Sequence, residues 1–327
     1  MTPPQMAGPP EGEPGRTVGE LGEFELIAAI AARLPQGPAV WVGPGDDAAV
    51  VTAPDGRVVA TTDLLVEGRH FRREWSSAYD IGRKAAAQNC ADVVAMGAVP
   101  TVLLVGLGAP ADLPADWALG LADGLRDEAA LVAASVAGGD IVAASAVTIA
   151  VTALGDLEGR DPVLRSGARP GDLVVLAGRT GWAAAGLAVL GRGFRSPKAL
   201  VEAHRRPEPP YALGPELARR GATAMVDVSD GLVADLRHVA EASGVRVSLD
   251  RAAFDVPDVM AEVAGALHAE PYDWLLTGGD DHALAATVPA GTALPDGVRV
   301  VGRVEDGEGV TVDGTAWDGG GHDHFRR

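Results

Sequence analysis

Apolar positions along this chain follow two alternating periods, and the alternation predicts where helices give way to strands. Phe24, Ile27, Ala31 and Leu34 keep helical spacing until Pro35, so an opening helix is predicted that the proline ends. Short β-rich runs follow at Ala39–Val42, Ala48–Val51 and Val58–Thr61, parted by Gly-Pro-Gly and Pro-Asp-Gly turns. Residues Asp80–Met96 read as a helix closed by Gly97, with Asn89 and Asp92, three apart, on one face. Val102–Leu107 is a predicted strand. Trp117, Leu121, Leu125, Val132 and Val136 mark a second long helix that runs straight into Gly138-Gly139-Asp140, and Ala146–Leu154 is a further strand.

The texture resets near Gly159, which is read as a domain boundary. Beyond it a buried strand is predicted at Leu173–Leu176, helices around Trp182–Leu190 and Pro210–Arg220, and a strand at Ala224–Val228. A helix from Leu232 to Ser243 carries Leu232, Leu236 and Val239 on one face, and a helix at Val256–Leu267 and strands at Ala283–Val288 and Val298–Val304 complete the half. Residues 1–16 are rich in proline, glycine and glutamate and are expected to form a disordered tail, since they cannot bury enough apolar surface to offset ordering entropy. The organisation read from the chain is therefore α+β in two domains, 17–159 and 160–327.

Composition narrows the function. The chain has 327 residues, 47% of them apolar, and a formal charge of −18. Its only lysines are Lys84 and Lys198, and the arginines are dispersed. No basic stripe exists for nucleic acid or an anionic membrane surface, and both polyanions would be repelled. No apolar stretch reaches the roughly 18 uncharged residues of a membrane span. One cysteine, Cys90, excludes an intramolecular disulfide, and a cytoplasmic protein is expected.

The aspartates carry the chemistry. They sit in glycine-punctuated knots: Gly45-Asp46-Asp47, Thr61-Thr62-Asp63, Asn89-Cys90-Ala91-Asp92, Gly138-Gly139-Asp140, Asp227-Val228-Ser229-Asp230-Gly231 and Gly278-Gly279-Asp280-Asp281. Taken alone, the Gly45, Thr61 and Gly278 knots read as turns or a strand end, and Asp140 as an ordinary helix cap. Asp92 is flanked by apolar residues, where an unpaired carboxylate would be costly, and capping of the helix at Leu232 explains Ser229 or Asp230 but not both aspartates. Carboxylates gathered without matching lysines call for hard divalent cations, and magnesium brings phosphate substrates with it. There is no P-loop, no protein-kinase signature, no zinc spacing and no Gly-x-Ser-x-Gly.

Taken in order, these segments resemble the thiamine-monophosphate kinase family, in the superfamily of aminoimidazole ribonucleotide synthetase and selenophosphate synthetase. The resemblance runs from residue 18 to 325. It is carried by Gly43 through Val50, Thr61-Thr62-Asp63 with Gly68-Arg69-His70-Phe71, Ala91 through Ala98 and Gly138-Gly139-Asp140. Arg165 through Asp172, His204-Arg205-Arg206-Pro207, Asp227 through Asp235, Gly278 through Asp281 and Asp323-His324-Phe325 extend it.

The resemblance implies transfer of the γ-phosphoryl group of ATP to thiamine phosphate, giving thiamine diphosphate. It implies magnesium ions held by Asp47, Thr61, Thr62, Asp63, Asp92, Asp140, Asp227 and Asp230. Gly139, Asp140, Arg165 and Ser229 would meet the nucleotide, and His70, Asp281 and a C-terminal ring, Trp317 or His322, would meet thiamine phosphate. Asp47, Asp92, Asp230 and Arg165 would carry catalysis. The implied fold is synthetase-like: a mixed α/β N-terminal half whose sheet pairs in the barrel of a homodimer, and a C-terminal α/β half completing the nucleotide and substrate site. Two positions depart from the family, which has Glu-Asp-Tyr where this chain has Asp280-Asp281-His282, and an aromatic where it has His322. The competing readings are another ATP-using enzyme of the superfamily and a non-catalytic cation-binding module.

Overall fold

The structure, a computed structural model, describes residues 15–45 and 48–317. The chain opens with α1 (Val18–Leu21) and α2 (Glu23–Ala31). A capping box starts α1: Thr17 Oγ1 accepts from Glu20 N, and Thr17 N donates to Glu20 Oε2 at 2.8 Å. Next come β1 (Val40–Val42), β2 (Val50–Val51), β3 (Val59–Val66), α3 (Ala78–Ala95), β4 (Val99–Ala109), α4 (Ala115–Leu131), β5 (Ser135–Ala143) and β6 (Thr148–Asp156). The later elements are β7 (Leu173–Ala177), α5 (Trp182–Gly191), α6 (Lys198–Arg205), α7 (Leu213–Arg219), β8 (Ala224–Val228), α8 (Leu232–Ser243) and β9 (Arg246–Leu249). Then follow α9 (Asp258–Leu267), α10 (Pro271–Thr277), β10 (Ala283–Val288), β11 (Val298–Glu305), β12 (Gly309–Val312) and β13 (Thr315–Ala316).

The chain divides into two compact units. The first comprises the described residues of Met1–Thr52, Thr62–Ala86 and Thr101–Ala153. Its sheet has the order β3-β6-β4-β5, with β4 and β5 parallel. The helix α4 covers β5 with Leu121, Leu125 and Ala129 buried, and Arg83 of α3 forms an ion pair with the buried Glu128 of α4.

The second unit comprises Ala53–Thr61, Ala87–Pro100 and the described residues of Leu154–Arg327. Among the described residues its sheet has the order β13-β12-β9-β11-β7-β10-β8. Strands β7, β8 and β10 are buried on both faces and read as near-continuous apolar runs, the pattern of a sheet covered on both sides. Val94, Val175, Leu217, Met225 and Leu284 share one of its core clusters. Among the described residues, no helix is long and apolar enough to cross a membrane.

Two expectations are corrected here. The second long helix does not reach Val136: α4 ends at Leu131, Ala133 turns the chain at φ 56, and Ser135 begins a strand. The helical spacing of Val132 and Val136 was fortuitous, and the β-branched residues Val136, Ile141 and Val142 favour the ladder with β4. Gly138-Gly139-Asp140 therefore lies within β5, not at a helix end. Likewise Thr61-Thr62-Asp63 sits inside β3, because Leu64, Leu65 and Val66 prolong the strand.

Candidate functional site

In the first unit, predicted residues stand on β3 and β5, the two outer strands of the four-stranded sheet. Thr62 Oγ1 donates to Val151 O at 3.0 Å and accepts from Thr152 Oγ1 at 3.1 Å, so β6 holds its hydroxyl. Asp63 is half-buried on the same strand. Asp140 is exposed on β5, with Oδ1 accepting from Ile141 N at 2.9 Å. Gly139 faces Val105 across the parallel pair, and a Cβ there would lie 1.9 Å from Val105 O. Close backbone approach between β4 and β5 thus explains the glycine on its own. After β3, His70 Nδ1 accepts from Val66 N at 2.9 Å, which assigns the ring proton to Nε2.

In the second unit, Thr61 Oγ1 donates to Asp92 Oδ2 at 2.8 Å, fixing one oxygen of that carboxylate on the α3 face. The richest arrangement is built by two loops. One follows β8 and carries Asp227, Ser229 and Asp230 into α8; the other leaves α10 and carries Gly278 through His282 into β10. The antiparallel β8–β10 register, Val228 opposite Ala283 and Asp227 opposite Leu284, continues into both loops. Asp280 N donates to Ser229 O at 2.9 Å and His282 N to Val228 O at 3.1 Å. A Cβ on Gly279 would lie 2.1 Å from Ser229 O, so only glycine lets the loops lie this close.

Two buried carboxyls support these loops from behind. Asp235, one turn into α8, accepts from Asp230 N and Gly231 N, each at 3.1 Å. Burial, then the negative charges of Asp227 and Asp230, push its pKa up to about 7, against the pull of those two N–H bonds. Asp281, only 2% exposed, accepts through Oδ1 from Ala183 N at 3.0 Å and so closes the first turn of α5. Its Oδ2 is buried without a partner, and burial raises its pKa to about 7. A predicted substrate contact is thus placed beneath the surface, at the N-terminus of a helix. Asp227 Oδ2 lies 3.2 Å from His282 Nδ1. Burial works against a charged imidazole, but the bonded Asp227 and the charges of Asp280 and Asp92 outweigh it and raise the His282 pKa.

Arg165 is exposed, and its carbonyl accepts from Ser243 Oγ at 3.2 Å. The neighbouring Ser166 lines a cleft of about 720 Å³ with Arg160, Asp161, Arg219 and Thr223, and no predicted cation ligand borders it. Trp317 is half-buried, with its carbonyl accepting from Arg237 at 2.9 Å. Asp46, Asp47, His322 and the Asp323-His324-Phe325 ending lie outside the described residues. Among the described residues, no three His, Cys, Asp or Glu side chains already stand together as an ion site. The donor set still suits a hard cation: it is all oxygen, and Asp227 and Asp230 crowd Asp235 with a charge that a divalent ion would relieve.

Sequence reasoning missed Asp235 and His282. The available signal for Asp235 was a carboxylate on the stripe of α8 that buries Leu232, Leu236 and Val239. For His282 it was an imidazole one residue before a strand apolar but for Thr287.

This geometry can be set beside known proteins. Residues 45–157 match the AIR synthase related protein N-terminal domain, and residues 169–314 match the C-terminal domain of the same family. The thiamine-monophosphate kinase of Mycobacterium tuberculosis is 48% identical over 305 residues, covering 93% of this chain and 91% of that protein. The chain belongs to the thiamine-monophosphate kinase family. Its fold agrees: the crystal structure of the enzyme from Stenotrophomonas maltophilia K279a superposes with a TM-score of 0.79 at 34% identity, covering 90% of this chain and 98% of the other. AaThiL complexed with AMPPCP and TMP gives a TM-score of 0.77 at 29% identity, covering 96% and 100%. Like other members of the family, the chain is a mixed α/β protein with two domains of the AIR-synthase type.

Proposed function

We propose that this protein transfers the γ-phosphoryl group of ATP to thiamine phosphate, forming thiamine diphosphate by direct in-line displacement. The observation that carries the reading is the 48% identity to a thiamine-monophosphate kinase over 93% of the chain, which takes in both laced acidic loops. The acceptor is a phosphate monoester whose second pKa is about 6, so at neutral pH it arrives largely as a dianion and needs no general base. The difficulty is bringing that anion against ATP.

Asp47, Thr61, Thr62, Asp63, Asp92, Asp140, Asp227 and Asp230 are the residues we assign to magnesium, which when bound would neutralise phosphate charge and stabilise the transferring group. The protein's own part is orientation. Thr61 fixes one Asp92 oxygen, and Asp235 fixes the Asp230–Gly231 backbone. Arg165, Gly139 and Ser229 are assigned to the nucleotide, the exposed guanidinium of Arg165 supplying charge-assisted bonds to phosphate. His70 and Trp317 or His322 are assigned to thiamine phosphate, where an aromatic face suits the cationic thiazolium. Asp281 contributes to that side by holding the first turn of α5.

We further propose a homodimer formed through the first unit. Trp41, Val42, Val50, Leu64 and Val142 are exposed there, apolar side chains that a partner subunit would cover. We also propose a cytoplasmic location, which suits a reaction that draws on ATP. The deciding experiment is product analysis with ATP and magnesium: thiamine phosphate should yield thiamine diphosphate, and the amidine that the ribonucleotide synthetase cyclises should yield nothing. Turnover of the amidine alone would move the chain to the synthetase branch.

A further inference from the structure

The β8–β10 ladder brings an imidazole to a carboxylate from an unexpected position. Asp227 faces Leu284, and His282 stands two residues before Leu284 on the same face, so the pair are diagonal neighbours across the antiparallel ladder. Their side chains meet at 3.2 Å and both residues are buried, His282 being 4% exposed. A carboxylate offers only acceptors, so the contact puts a proton on Nδ1. The other ring nitrogen, Nε2, is buried without a hydrogen-bond partner, which leaves Asp227 as the group that orients the ring. Asp280 and His282 hold φ values of 71° and 53°, in the left-handed region that Asp and His enter more readily than most non-glycine residues.

We propose that His282 is a positioning residue for Asp227: its Nδ1–H ties down Oδ2 and leaves Oδ1 to face the divalent cation of the phosphoryl-transfer site. The inference rests on the reading of Asp227 as a cation ligand. A carboxylate bonded at one oxygen presents the other in a fixed direction, whereas an untethered one rotates, and this is how outer partners tune ligands. The negative charges of Asp92 and Asp280 also bear on the ring. A merely neutralising histidine would be equally served by a donor at either ring position; a positioning one needs it at Nδ1.

The experiment measures Mn²⁺ binding to the full chain by electron paramagnetic resonance, with thermal melting and thiamine diphosphate turnover alongside. His282→Asn sets an N–H donor where Nδ1 stands and tolerates a positive φ; His282→Gln sets it where Nε2 stands; His282→Phe fills the space and donates nothing. Asp227→Asn is the reference. His282→Asn should bind Mn²⁺ within about threefold of the native protein, and His282→Gln and His282→Phe about 10- to 100-fold more weakly, the loss typical of removing a ligand's outer partner. If His282→Phe does not fold, the Asn and Gln variants decide. Native-like affinity in folded His282→Gln, or an equal loss in His282→Asn, overturns the inference. Unchanged binding in Asp227→Asn brings down the ligand reading and the inference together; weakened binding there with none in His282→Gln brings down the inference alone.

Discussion

Asp281 is neutral in the fold over a pH range where the unfolded chain would ionise it. Its pKa rises from 3.8 to about 7, so in that window the folded state binds the extra proton and this group's contribution to stability is lost as pH rises. Asp281→Asn keeps an acceptor for Ala183 N and needs no proton. The melting temperature of the variant relative to the native protein should climb between pH 4 and pH 8; a constant offset would show that burial does not hold Asp281 neutral. Asp235 tests a different property, since its carboxyl ties the backbone of Asp230 and Gly231. Asp235→Ala should cost about 2–4 kcal/mol in urea unfolding, because the buried Gly231 N and the half-buried Asp230 N lose their acceptor; a loss under about 1 kcal/mol would mean water replaces it. At this scale the sequence made the acids legible but not their division of labour. Asp230 and Asp281 look alike in their glycine-rich knots, and only tertiary packing puts one at a half-buried loop and the other under a helix.

Among the elements, the long periodic ones were legible and the short ones were not. Helix α8 and strands β7, β8 and β10 fall where apolar period and turn residues place them, since burial on a stripe or on both faces leaves a strong pattern. Helices α6 and α10 and strands β9, β12 and β13 are too short to impose a period and depend on neighbours already in place. The error at Gly138-Gly139-Asp140 has a related cause: residues 132–136 satisfy helical spacing by accident, while the pairing with β4 that decides the matter is invisible locally. The joining of the two acidic loops is likewise a product of register. Gly279→Ala tests it, since the added methyl meets Ser229 O. Turnover should fall at least about tenfold as the loops part, with a stability loss of roughly 1–3 kcal/mol; full activity would mean that the lacing is incidental to the chemistry.

For the whole molecule, net charge steers the reading away from nucleic acid and toward phosphate chemistry that recruits cations. Partner number was beyond it, because exposed apolar residues are recognisable only once the strands are built. Leu64, 53% exposed on β3, is the sharpest handle on the proposed dimer: in sedimentation equilibrium the native protein should appear at twice the chain mass and Leu64→Glu should halve it, and a native protein at the chain mass or an unchanged mass in the variant would contradict the proposed contact. The central claim is that acidic loops far apart in the sequence serve cation-assisted phosphoryl transfer from ATP to thiamine phosphate. Thiamine diphosphate formation by Asp230→Asn, at saturating ATP and magnesium, tests it most directly. Turnover should drop at least about a hundredfold while the melting temperature stays within about 4 °C of the native value; a folded Asp230→Asn protein that turns over at the native rate would contradict the account.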